Sequence, residues 1–157
     1  MSDFPDDREL VLTRLIQAPR QAVWRCWTEA ELLKQWFAPR PVTTPRAELD
    51  VRPGGSSLIV MRTPDGQEMP NAGVYLEVVP GERLVFTDAF TSAWTPKEGA
   101  PFMLAILALE DAGEGRTHYS VRVRHWTAEA KAQHEAMGFH QGWGLCTDQL
   151  EALAKTL

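Results

Sequence analysis

At 157 residues, 44% hydrophobic and 24% charged, the chain has the length and composition of one ordinary globular domain, able to bury about two-thirds of its unfolded surface. Its net charge of −5 argues against general nucleic-acid binding, which needs a concentrated basic surface. No apolar run approaches the roughly 18 residues that cross a bilayer, so no membrane span is expected.

Residues 1–7 are expected to form a disordered leader ahead of a single domain over 8–157. The acidic N-terminus has no hydrophobic core of the secretory-signal kind, and the expected location is cytoplasmic. Alternation over Arg8 to Gln17 predicts a strand, with Leu10, Leu12 and Arg14 set against Val11, Thr13 and Leu15. Pro19 suits the start of a helix carrying Val23, Trp24 and Trp27 on one side. Thr28-Glu-Ala-Glu31 reads as a capping box for a second short helix that buries Leu32, Leu33, Trp36 and Phe37. Pro39 and Pro41 end it.

Six strand-like segments follow, at Thr43–Val51, Ser57–Thr63, Asn71–Val79, Arg83–Phe90, Phe102–Glu110 and Arg116–His125. Turn signals separate most of them: Pro53-Gly54-Gly55, Pro64-Asp65-Gly66, Pro80-Gly81 and Asp111 to Gly115. Short connections between consecutive strands imply an antiparallel sheet. From Thr127, an N-cap, one long helix is expected to reach Leu157, with Ala136, Phe139, Trp143, Cys146, Leu150, Leu153 and Leu157 on one face. Gly138, Gly142 and Gly144 interrupt that stripe at about 1 kcal/mol each, which asks for a bend, a close approach or a cavity wall. The resulting class is α+β, a curved sheet around a C-terminal helix with two short helices closing one end.

Chemical signatures are sparse. His134-Glu135 followed by His140 fails the H-E-x-x-H spacing, and no metal site is expected. There is no nucleophile elbow, P-loop or dinucleotide fingerprint, so no catalytic residue and no cofactor are assigned. Cys26 and Cys146 read as buried reduced thiols rather than as a redox pair. His118, Arg122 and Arg124 share one strand parity opposite Tyr119, Val121 and Val123; a solvated face is expected, with a partner surface as the alternative. Asp88 shares the parity of Leu84, Phe86 and Phe90 if the strand continues that far. It then either projects into the interior as an acid of raised pKa or, where the strand ends, meets solvent.

Several motifs run in order from residue 8 onward: Ile16-Gln-Ala-Pro19, Val23-Trp24, Trp27-Thr28, Trp36-Phe37, Asp50-Val-Arg-Pro-Gly-Gly55 and Pro64-Asp-Gly66. Gly73-Val-Tyr-Leu-Glu-Val-Val-Pro80, Glu82-Arg-Leu-Val-Phe86 and Gly142-Trp143 complete the series. With them the chain resembles the activator of Hsp-90 ATPase homologue 1-like family of the START/polyketide-cyclase (SRPBCC) superfamily. The resemblance implies a helix-grip fold of six to seven strands, like the birch-pollen allergen, with a pocket between sheet and helix. Candidate ligand-binding residues are Trp24, Trp36, Phe37, Met61, Tyr75 and Phe86 in the first half of the chain. Asp88, Phe90, Trp94, Met103, Phe139 and Trp143 complete the set.

The leading expectation is non-catalytic binding of a small hydrophobic or aromatic molecule. A cyclase or aromatase-like enzyme using Asp88, Tyr75 and His140 is the alternative. A co-chaperone or other protein-interaction role, with a protein partner or a homodimer, is the third reading. The co-chaperone behind the family name carries a further domain, which is not expected within these 157 residues.

Overall fold

The structure, a computed structural model, describes residues 4–157. Strand β1 (Glu9–Ile16) leads into helices α1 (Arg20–Thr28) and α2 (Ala30–Leu33). Strands β2 (Thr43–Leu49), β3 (Ser56–Arg62), β4 (Glu68–Val79) and β5 (Arg83–Thr87) follow. A two-residue pair, β6 (Phe90–Thr91) and β7 (Thr95–Pro96), interrupts the series before β8 (Leu104–Gly113) and β9 (Arg116–Arg124). Helices α3 (Ala128–Ala136) and α4 (Phe139–Ala154) close the chain. The seven long strands form one antiparallel sheet in the order β1-β9-β8-β5-β4-β3-β2.

Period-two alternation decides which face is core. Leu10, Leu84, Leu107, Leu109, Tyr119, Val121 and Val123 are buried inward, where α1 and α4 cover them, while His118 and Arg122 point outward. Helix α1 buries Ala22, Val23, Cys26 and Trp27, neighbours on one helical face. Both thiols are free, as expected, and burial pushes each up to about 11.

Three expectations are corrected. Thr28 does not cap α2: its hydroxyl donates back to the Trp24 carbonyl at 2.8 Å, and Glu29 pairs with Arg25 instead. The strand expected to reach Phe90 ends at Thr87, because Thr87 Oγ1 donates to the Met103 carbonyl and accepts from Ala89 N. The terminal helix is two helices, broken where Gly138 adopts φ +95°, a conformation that costs side-chain-bearing residues about 1–2 kcal/mol. Of the leader expected over 1–7, residues 1–3 lie outside the described residues; a 3-10 turn at Asp6–Arg8 crosses into the domain, and the Phe4 ring lies 4.8 Å from the Arg8 guanidinium and 4.7 Å from that of Arg124.

Candidate functional site

The space between the concave sheet face and α4 divides into two halves. The half beside α1 and α2 is closed. Trp27 packs edge-on against Trp36 at 4.9 Å and Phe37 at 6.1 Å, and lies 5.7 Å from Phe86. Its indole N–H donates to the Tyr119 hydroxyl at 3.2 Å, and that of Trp36 donates to the Cys26 carbonyl at 2.9 Å. Gln149 on α4 donates its side-chain amide to the Trp36 and Ala38 carbonyls at 2.9 and 2.7 Å. Burial drives the Tyr119 phenol far above its ordinary range, so it stays neutral. No water-filled path is needed here, since each of these buried polar atoms already has a partner.

The other half is different. Ala47, Leu49, Val51, Met103, Trp143 and Cys146 pack against the core yet stay only half-buried, as do Phe37 and Phe86, whose rings also meet Trp27 and so border both halves. Register places Ala47 opposite the inward Ile59, and Phe86 opposite the inward Tyr75. Trp143 and Cys146 lie on the α4 face that also carries Phe139, whose ring stacks on Trp143 at 5.5 Å. Their partial exposure on the inward face makes these side chains the candidates for a ligand-binding surface. The Tyr75 hydroxyl, on the strand position opposite Phe86, is pushed up to about 12 by burial, opposed by a hydrogen bond with Ser57.

Comparison with known proteins fits this geometry. Residues 17–155 match the family model described as Activator of Hsp90 ATPase homolog 1-like protein. The chain belongs to that family. A crystal structure of a protein from Nitrosomonas europaea is 38% identical, with TM-score 0.93 over 98% of this chain and 97% of that one. A solution structure from Staphylococcus epidermidis, 24% identical, reaches TM-score 0.81 over 99% of this chain and 94% of that one. A crystal structure from Rhodobacter sphaeroides, 20% identical, reaches 0.82 over 99% and 97%; these two relatives speak for the fold alone. No curated protein matches the chain. The helix-grip arrangement of the Hsp90-activator-like family is thus the frame for the site, and the helices and seven-stranded sheet follow it.

Within this family frame the twelve candidate residues separate. Phe37, Tyr75, Phe86, Met103, Phe139 and Trp143 belong to the apolar core or pack against it. Trp36 belongs to the closed half, with its ring nitrogen committed, and Trp24 packs half-buried from α1. Met61 pairs with Met69 across the β3–β4 hairpin, outside the apolar core. Phe90 and Trp94 sit 5.7 Å apart on the β6–β7 hairpin, where Trp94 is 53% exposed and its ring covers Gly54 so closely that a Cβ there would lie 2.8 Å away.

Asp88 is neither an interior acid nor a solvated strand end. Its carboxylate accepts from the backbone N–H groups of Phe102 (2.8 Å) and Met103 (3.0 Å) and from Lys97 (2.7 Å), clamping the loop that returns to β8. His140, the third enzyme candidate, is exposed on α4 beside Glu135 at 3.5 Å. Asp88, Tyr75 and His140 are thus held by different partners on different elements. Among the described residues no group of three or more His, Cys, Asp or Glu side chains is placed to hold a metal ion.

Two recesses are present, neither lined by these candidate residues other than Trp36. One of about 380 Å³ is on the outer sheet face, lined mainly by Thr13, Leu15, Ala108, Glu110, His118 and Ser120. The other, about 80 Å³, adjoins α2 near Lys34 and Arg40. Sequence reasoning missed Trp27 as the hub of the aromatic cluster, although its spacing from Val23 and Cys26 marks the buried face of α1. It also missed His125 and His134, which meet through no sequence pattern. No described helix is long and apolar enough to cross a membrane.

Proposed function

We propose that this chain binds a small, mostly apolar molecule in the open half of the sheet–helix interface and performs no chemistry on it. One observation carries the reading: inward-facing apolar side chains, from Leu49 and Phe86 on the sheet to Trp143 on α4, pack against the core yet remain only partly buried. Filling such a wall with a ligand removes apolar surface from water at about 25 cal/mol per Å². The family belongs to a superfamily that commonly binds hydrophobic ligands, which supports the same reading.

The absence of chemistry rests on the state of the available groups. Tyr75 and Cys146 are pushed up to about 12 and about 11 by burial, so neither offers an anionic base or nucleophile at neutral pH. The Asp88 oxygens are already occupied by two backbone amides and a lysine. Phe37, Phe86, Met103 and Trp143 are assigned to the wall, with Phe139 behind Trp143 and the Tyr75 hydroxyl as an orienting group.

Native mass spectrometry of the freshly purified protein, followed by chemical-shift mapping with fatty acids and planar aromatic compounds, tests the reading. The expected result is a saturable shift of the Trp143 indole signal with one apolar class. Chemical shifts unmoved by every class at millimolar ligand would overturn it.

A further inference from the structure

Helix α3 buries only one of its nine residues, His134. The Thr127 hydroxyl, accepting the Ala130 N–H at 3.0 Å, caps the helix internally, which leaves the His134 imidazole as its one buried side chain against the rest of the domain. His134 Nδ1 lies 2.9 Å from Nε2 of His125, and both side chains are buried, at 6% and 1% exposure. Nδ1 of His125 in turn lies 2.9 Å from the Arg8 carbonyl, which also accepts the His125 backbone N–H. The His134 ring lies 4.6 Å from Phe102 and 5.2 Å from Phe139. Beyond Phe139, the stack continues to Trp143.

The proton positions follow from the partners. A carbonyl can only accept, so His125 Nδ1 carries hydrogen and its Nε2 lone pair accepts from His134 Nδ1–H in the neutral pair. One added proton leaves a charge between two phenyl rings. A second makes every ring nitrogen a donor and breaks the N···N bond.

The charged groups on the surrounding elements do not compensate. Asp6, Asp7 and Arg8 lie on the N-terminal turn, and Arg8 donates to the Trp126 carbonyl. Glu9 of β1 is bound by Arg122 and Arg124 of β9, and Asp88 by Lys97. On α3 and α4, Glu135 pairs with His140, and Lys131 lies one turn before His134. Among the described residues, no carboxylate is in hydrogen-bond or ion-pair contact with either imidazole of the pair.

We propose that the His125–His134 pair is a proton-controlled clasp, which holds α3 and the Phe139 end of α4 in place when neutral and releases α3 on acidification. Burial, reinforced by the neighbouring His125, pushes His134 from 6.5 down to about 4 while α3 is docked. The undocked helix returns the ring to water and to its ordinary value. The docked value is the depressed one, so docking is at full strength above pH 6.5 and weakens as pH falls from there towards 4. Between pH 7.5 and 5.0 the ratio of docked to undocked α3 is expected to fall about 30-fold.

Hydrogen exchange of the ligand-free protein, expressed as protection factors, reads this directly. The α3 amides are expected to lose about 30-fold in protection between pH 7.5 and 5.0, while β8 and β9 amides keep theirs. His134→Phe, which preserves the ring and removes the proton site, should abolish that pH dependence, and His140→Gln should leave it intact. Because His134→Phe also strands the His125 lone pair, the His134 ring is titrated by NMR in the unaltered protein as well. Constant α3 protection across the range, a His134 midpoint at or above 6.5, or a His134→Phe variant with the original pH profile would each overturn the proposal.

Discussion

The two halves of the interface between sheet and α4 are built from the same residue types and behave as opposites. Beside α1, aromatic rings meet ring to ring, and the Trp27, Trp36, Tyr119 and Gln149 polar atoms are each spent on a named partner. In the other half, Leu49, Met103 and Trp143 pack on the core and stay only partly buried, and Phe37 and Phe86 border both halves through their contacts with Trp27. The difference is one of closure rather than composition. A satisfied, close-packed half fixes the fold, and an incompletely closed half keeps apolar surface available.

Replacing Trp27 with Ala attacks the closed half at its hub and carries the largest expected effect. It removes contacts with Trp36, Phe37 and Phe86 and the donor to Tyr119, which should cost about 3–5 kcal/mol in chemical denaturation. The matching change in the open half, Trp143→Ala, should cost only about 1–2 kcal/mol, because part of that ring's surface is exposed to begin with. It should nevertheless remove most of the ligand-induced shift. Equal stability losses would dissolve the distinction between the halves.

Asp88→Asn comes next. It retains the size of the side chain but replaces a charge-assisted acceptor of two backbone amides and a lysine, at about 1–3 kcal/mol. The loss should concentrate in faster exchange of the Phe102 and Met103 amides. If Asp88 instead served the cleft, ligand affinity would fall with those amides unmoved.

These contrasts also show what was legible in the chain. The sheet was, because turn signals such as Pro64-Asp65-Gly66 fix hairpins locally and alternation from Tyr119 to Val123 assigns faces without outside help. The capping box at Thr28 misled because a threonine hydroxyl can equally donate to the carbonyl four residues back, and the continuation of α1 decides between them. Asp88 was unreadable for a different reason. Its partners lie 14 and 15 residues away, and counting parity past Thr87 assumed a strand that had already ended. The break at Gly138 hid inside an apolar stripe, since Ala136, Phe139 and Trp143 keep helical spacing on both sides of it. The clasp between His125 and His134 depends on where α3 docks, which no local pattern specifies.

The glycines of the terminal helices separate the two causes that the sequence merged. Gly138 needs its positive φ, so Gly138→Ala should destabilise by about 1 kcal/mol and lower α3 protection. Gly142 is ordinary interior helix, and a Cβ added there would meet nothing within 4 Å. Helical propensity alone then predicts that Gly142→Ala raises stability by about 0.5–1 kcal/mol. The position lies one turn before Cys146 and three residues after Phe139, on the flank of the face that borders the cleft. A leucine at this site gains the same propensity but extends into the space that the ligand is proposed to use. Gly142→Leu should therefore leave the denaturation midpoint unchanged or higher while abolishing the ligand-induced shift at Trp143. A variant that is stable and still binds would place the open space at Gly142 on the solvent side, and would move the proposed site away from the first turns of α4.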